Sequence, residues 1–312
     1  MTGGTPAQSS SKYPFSVTLT DPILCGGSII SLDPPWILTA AHCIENLEIN
    51  TDRYTVAYGN RKFSEQSYAA IAQAISHPLY VSSQQLQTQV YATDRTDVIP
   101  YDIGLIRLKY PLVANTHVNR IPLLMNFADN DGTSKTMNML ETIGMGYTGY
   151  EKPHAEFLQF TQCNSSNTET LRDNNFNRSI ILATSNAGLC HGDSGSPLLF
   201  KPSDTSNEYY LNGVLNRILN AYDPDPDNGT CPFHESNLTS FINSFVKPSV
   251  HIEWIVGVTR LSLAALTDPV TSSDGSDVFA SSASSASLLL RAPCFSINWS
   301  FLLLIGSLFI IV

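Results

Sequence analysis

The chain has 312 residues and a formal charge of −10, set by seventeen basic against twenty-seven acidic side chains. With 43% hydrophobic, 10% aromatic and only 14% charged residues, it can bury a sizeable core and is too apolar for extended disorder. So acidic a surface repels phosphate backbones and argues against nucleic acid as a partner, and a single long apolar run excludes a polytopic membrane protein. The opening stretch, MTGGTPAQSSSKYPFS, has neither a charged leader nor an apolar segment, so it is not a secretory signal. From Lys12 to about Ile218, short alternating apolar runs stand between Gly, Pro, Asn and Asp. They are Phe15–Leu19, Ser28–Ile30, Trp36–Leu38, Tyr54–Tyr58, Ile103–Leu108, Thr142–Tyr147 and Pro197–Phe200. Strands at this spacing predict an all-β barrel or sandwich. Asp223–Cys231 (DPDPDNGTC) is turn chemistry and reads as a loop. Val250–Leu266 repeats apolar residues at helical intervals and is predicted as a helix.

The six cysteines, Cys25, Cys43, Cys163, Cys190, Cys231 and Cys294, include no C-x-x-C pair. Widely spaced single cysteines fit disulfides in an oxidising compartment better than a zinc site, and neither metal nor cofactor is expected. Acceptor triplets for N-glycosylation begin at Asn164, Asn177, Asn228 and Asn237, which agrees with a secretory route. A Ser-rich segment, Thr271 to Ser287, precedes an apolar stretch, Phe295 to Val312, that ends the chain, and Arg291 is the last charged residue. Small acceptor residues, a spacer and an apolar tail resemble a signal for a glycosylphosphatidylinositol (GPI) anchor. A single transmembrane anchor is the other reading, since about 18 apolar residues nearly span a bilayer. A membrane tail without an entry signal is inconsistent unless the chain lacks its beginning; a complete intracellular protein is the alternative.

Three segments carry chemistry, in this order: CGGSII with ILTAAHC (Cys25–Ile30, Ile37–Cys43), YDIGLIRL (Tyr101–Leu108) and GLCHGDSGSPLL (Gly188–Leu199). Taken singly, His42 could be a core histidine, Asp102 a turn residue and Ser194 a loop serine. Together they supply a general base, a carboxylate to orient it and a nucleophile. Gly192 lets the backbone turn so that its N–H and that of Ser194 point at one oxyanion. Gly195 is expected to remove a Cβ that would crowd the substrate carbonyl.

The segments LTAAHC, DIGLIRL and GDSGSP resemble the trypsin/chymotrypsin family of serine proteases, over roughly residues 1 to 257. The opening MTGGTPA resembles that family's mature start, ISHPLY and HIEWI match further segments, and GMG (Gly144–Gly146) does so with Met145 where the family has Trp. The resemblance implies a chymotrypsin-like double six-stranded β-barrel with a C-terminal helix. In it His42 and Asp102 come from the first barrel and Ser194 from the second, with Gly192 and Ser194 as oxyanion donors. It further implies disulfides Cys25–Cys43 and Cys190–Cys231, with the family's partner position for Cys163 falling near Leu182; Cys163 is then a free thiol or pairs with an upstream segment. Leu140 and Phe200 occupy another site where the family often has a bonded pair, which suggests a bridge replaced by packing. Cleavage of a propeptide would free an amine at Met1 to pair with Asp193, so a signal and propeptide are expected upstream of the sequence.

Specificity follows from the same comparison. Gly188 stands where trypsin-like enzymes place an acidic residue at the base of S1. Without a buried carboxylate nothing offsets desolvation of a P1 Arg or Lys. Asn216, Arg217 and Ile218 align with the substrate-binding edge, and Ile218 in place of a glycine would narrow the pocket toward small apolar side chains. The expected organisation is a protease domain over residues 1–257, a Ser-rich stalk over 258–287 and the hydrophobic tail over 288–312. The resemblance thus implies a surface-anchored or secreted serine endopeptidase acting on proteins or peptides and open to protease inhibitors. The alternative is a binding or adhesion module that keeps the fold without catalysis, supported by the degenerate edge and the long interval between His42 and Asp102. An α/β-hydrolase esterase fails on motif order, since there Ser precedes Asp and His. Hydrolysis should rise with the titration of an imidazole, about 6.5.

Overall fold

In the computed structural model of this protein the described residues are 1–20, 23–45, 47, 54–82, 101–125, 140–149, 153–164, 179–184, 187–203, 206–220, 231 and 241–270. The chain divides into Met1–Ser276 and Asp277–Val312. The Ser-rich stretch, the apolar tail, most of Asp223–Cys231 and the triplets at Asn177, Asn228 and Asn237 lie outside the described residues.

Thirteen strands are described: β1 (Thr5–Pro6), β2 (Ser16–Thr20), β3 (Cys25–Leu32), β4 (Pro35–Thr39), β5 (Thr55–Tyr58), β6 (Ser67–Ser76), β7 (Gly104–Leu108), β8 (Leu140–Gly144), β9 (Gln159–Asn164), β10 (Ser179–Thr184), β11 (Pro197–Phe200), β12 (Tyr210–Asn220) and β13 (Phe241–Val246). The first barrel closes in the order β2-β3-β4-β7-β6-β5, every pair antiparallel. The second sheet runs β9-β10-β13-β12-β11-β8, and pairing of β8 with β9 closes a second ring of six, with β1 added outside on β9. Closure leaves no long free edge.

The core explains why these runs are strands. Ile29, Ile37, Leu38, Val56, Ile71, Leu105 and Ile106 are all fully buried in the first barrel. The isoleucines and Val56, branched at Cβ, favour the pleated conformation, and β3 and β4 are buried almost continuously on both faces. In the second ring Leu198, Leu215 and Phe245 are fully buried together with Met1 and Leu189. Leu140 and Phe200 are direct register partners on β8 and β11, so two apolar side chains meet where a cross-link could have stood. Cys163 is a free, buried thiol opposite Thr184 rather than Leu182, and burial pushes its pKa up to about 12.

Two sequence expectations are corrected. The strand expected over Thr142–Tyr147 is β8, Leu140–Gly144, and ends before Met145. The single helix expected over Val250–Leu266 is two. A 3-10 turn at Pro248–His251 leads into α1 (Ile252–Thr259), and α2 (Leu263–Thr267) follows. Arg260 caps α1 in the left-handed conformation (φ 60°), and Ser262 caps α2 by accepting the Ala265 N–H. The apolar period continues across this break because both helices face the same core, so periodicity alone does not reveal it. Leu266 is fully buried and its carbonyl accepts the Leu123 N–H at 2.8 Å, so the packed fold continues past residue 257.

Candidate active site

The segment after β4 turns into a 3-10 helix, Ala41–Cys43, which carries His42 on its single turn. Asp102 stands just ahead of β7 and is 1% exposed. Its Oδ2 lies 2.7 Å from His42 Nδ1, and its Oδ1 accepts the His42 backbone N–H at 2.9 Å. One carboxylate thus fixes both the ring and the backbone of the same residue. His42 itself is 30% exposed, and its Nε2 lies 3.6 Å from Cys43 Sγ. Its pKa is raised above the usual imidazole value. Burial alone lowers it, and the Asp102 charge and hydrogen bond, with Glu45 adding, outweigh that loss.

Ser194 is half-buried on the turn before β11. Its carbonyl accepts the Gly26 N–H at 2.7 Å, and the Gly26 carbonyl accepts the Thr39 hydroxyl at 2.8 Å. These bonds seat the serine turn of the second barrel on β3 and β4 of the first, beside the segment that carries His42. The Cys25–Cys43 disulfide ties β3 to the His42 turn from the other side. Gly192 and Gly195 both have positive φ, 86° and 80°, a region that side-chain-bearing residues rarely adopt. The reason expected for Gly195 is corrected. A Cβ there would collide with the Gly26 carbonyl oxygen and the Thr39 hydroxyl, which belong to the first barrel rather than to a substrate. Gly195 is therefore a docking requirement between the barrels.

Asp193 is fully buried behind this turn. Oδ2 lies 2.8 Å from the Met1 α-amine and accepts the Cys190 N–H at 2.9 Å, while Oδ1 accepts the Gly146 N–H at 2.8 Å. The amine also donates to the Tyr147 carbonyl at 2.9 Å, and Met1 is fully buried. Gly144 and Gly146 leave no room for a Cβ against this carboxylate. Met145, between them, accepts the Thr18 hydroxyl of β2 on its thioether at 3.4 Å and so fills the seam between the two barrels. Asp193→Asn should strand a buried ammonium and cost about 3–5 kcal/mol. The check is a lowered urea midpoint with an unchanged slope.

The remaining predicted residues are spread over the second ring. Gly188 exchanges backbone hydrogen bonds with Thr2 at 2.8 and 2.9 Å. Cys190 is bonded to Cys231. Asn216 is buried at an irregularity in the register of β12, and Ile218 is the register partner of Asn243 on β13 and packs on the second core. Asn243, fully buried opposite Ile218, escapes sequence reading because the segment holding it resembles no motif. Among the described residues, one His/Cys/Asp/Glu group has ligand atoms close enough for a metal, Cys25, His42 and Cys43, and both sulfurs are already in a disulfide.

Two closed six-stranded rings, the second docking its serine turn against the histidine segment of the first, constitute the chymotrypsin-like double-barrel fold. The family model described as Trypsin matches residues 1–224, and the protein belongs to the trypsin family. It is similar to Serine protease 28 of Mus musculus, 29% identical over 64% of this chain and 70% of the relative. Trypsin-4 of Rattus norvegicus is 28% identical over 60% of this chain and 69% of its own length. Serine protease SSP1 of Scolopendra subspinipes is 27% identical over 83% of this chain and 82% of its own. The family match ends at 224, yet β13 completes the second ring and α1 packs beyond it.

Proposed function

We propose that this protein is a serine endopeptidase in which Ser194 is the nucleophile, His42 the general base and Asp102 the residue that fixes the imidazole tautomer. The observation that carries this reading is the 2.7 Å contact of His42 Nδ1 with buried Asp102, beside a serine turn pinned to the same barrel. With Nδ1–H donating to Asp102, Nε2 is left to accept a proton. Ser194 Oγ attacks the peptide carbonyl as His42 takes its proton, and the imidazolium then protonates the leaving amine. The Oγ–Nε2 contact this needs, about 2.6–3.2 Å, tightens in such enzymes when substrate binds. The backbone N–H groups of Gly192 and Ser194 stabilise the oxyanion, and water then releases the acyl group.

The Met1–Asp193 pair supports a competent turn rather than a collapsed one, which favours an enzyme over a non-catalytic binding module. Disulfides Cys25–Cys43 and Cys190–Cys231 fit work in an oxidising, extracellular setting. Attachment to a cell surface through residues 288–312, as a lipid anchor or a single span, is part of the proposal, as are the triplet glycosylation sites, a protease domain that extends beyond residue 257 to include α2, and susceptibility to protease inhibitors. No helix among the described residues is long and apolar enough to cross a membrane.

The S1 pocket is proposed to be uncharged, bounded by Gly188, Asn216 and Ile218, with Ile218 in place of a glycine narrowing its mouth. In a panel of peptide substrates, small apolar P1 residues should be cleaved faster than Arg or Lys. A preference for basic P1 would reject the pocket assignment while leaving the triad standing.

Activity requires neutral His42, so turnover should climb with pH to a midpoint above that of a free imidazole. The linked stability runs the other way. A raised folded pKa means that the His42–Asp102 interaction contributes fully below the unfolded value, about 6.5, and its contribution is lost as pH rises through the folded value. A pH–rate profile together with thermal midpoints between pH 5 and 9 checks both signs.

A further inference from the structure

A pair of histidines, His77 and His251, packs on Tyr101, the neighbour of Asp102, and lies outside the chemistry described so far. His77, just after β6, donates its backbone N–H to the Ile103 carbonyl at 3.0 Å. The Ile103 N–H in turn donates to the Tyr101 carbonyl at 2.7 Å, which closes a three-residue turn with Asp102 at its centre. The His77 ring stacks on the Tyr101 ring with centroids 4.9 Å apart and planes 21° from parallel. His77 therefore holds both neighbours of Asp102, one by its backbone and one by its ring. The ring's own orientation is set by the Leu79 N–H, which donates to Nδ1 at 3.2 Å and so leaves the ring proton on Nε2.

His251, on the turn that leads into α1, meets the His77 ring edge-on at 4.9 Å and the Tyr101 ring at 5.6 Å. Trp254 of α1 covers His77 from a third side at 4.9 Å. Both imidazoles are buried, at 8% and 5% exposure. The His77 imidazole adds planar stacking on Tyr101 and an acceptor for the Leu79 N–H. Tyr80 completes the surround, its N–H on the His77 carbonyl at 2.8 Å and its hydroxyl on Glu45 at 3.1 Å.

We infer that His77 and His251 are positioning residues that clamp the Asp102 turn and so couple the C-terminal helix to the geometry of the triad. The inference deepens the peptidase reading and rests on it. A displaced Asp102 misplaces the His42 ring. An error of about 1 Å in such a group can cost about 10²-fold.

The test compares wild type with His77→Asn, which keeps an acceptor for Leu79 and loses the stacked ring, and with His77→Phe, which keeps the ring. Expected for His77→Asn is a fall in kcat of about ten- to a hundredfold, KM unchanged, and a downward shift of the His42 midpoint in the pH–rate profile as Asp102 loosens. His77→Phe should recover most of that turnover. Loss of packing alone would not move the midpoint. If His77→Asn does not fold, His251→Ser asks the same question from the helix side, with the same expected split. Folded variants with wild-type kcat and midpoint overturn the clamp. An inactive wild type would instead overturn the peptidase reading, so the two failures are distinguishable.

Discussion

Ser194→Ala should reduce kcat by about 10⁶-fold while leaving the fold unchanged. The hydroxyl is the only group removed, it sits on a half-exposed turn, and its loss opens no cavity in either barrel. The turn stays seated because its attachment is through the backbone, from Gly26 N–H to the Ser194 carbonyl. Residual hydrolysis about 10³–10⁴-fold above the uncatalysed rate should persist, since the oxyanion donors and substrate contacts remain. Equal thermal midpoints for variant and wild type, measured beside the turnover numbers, separate loss of chemistry from loss of structure.

Asp102→Asn should cost about 10⁴ in kcat, again with little change in the fold. The asparagine has the carboxylate's shape, so its oxygen can still accept the His42 backbone N–H. Its amide then faces Nδ1 as a donor, which forces the proton to Nε2 and leaves no acceptor for the serine. Removing the Asp102 charge and hydrogen bond also withdraws what holds the His42 pKa up, leaving burial to lower it. The variant should therefore lose rate and titrate at lower pH. A variant that loses rate with the wild-type midpoint would show that Asp102 does not act through His42.

How far the molecule is legible in its sequence depends on the range of the cause. Strands such as Phe15–Leu19 and Trp36–Leu38 are readable because alternation is local, and each falls on or against a strand of the first barrel. The helix break at Arg260 is not readable, because a left-handed arginine goes against the usual preference for glycine at that position. Gly195 shows another limit. Its need for a missing side chain is visible in GDSG, yet the atoms that exclude the side chain, on Gly26 and Thr39, belong to the other barrel. The register of Ile218 with Asn243 and the stacking of His77 on Tyr101 likewise join distant segments that no spacing rule connects. Motifs name the reacting groups; packing decides what holds them.

Covalent labelling asks whether Ser194 is an activated nucleophile. The protein would be treated with a fluorophosphonate probe, digested and mapped by mass spectrometry, with Ser194→Ala and heat-unfolded protein as controls. One phosphonylated site is expected, Ser194, absent from both controls and weakened in Asp102→Asn. A folded protein whose Met1 amine is paired with Asp193 and whose Ser194 takes up no label would overturn the assignment of Ser194 as nucleophile.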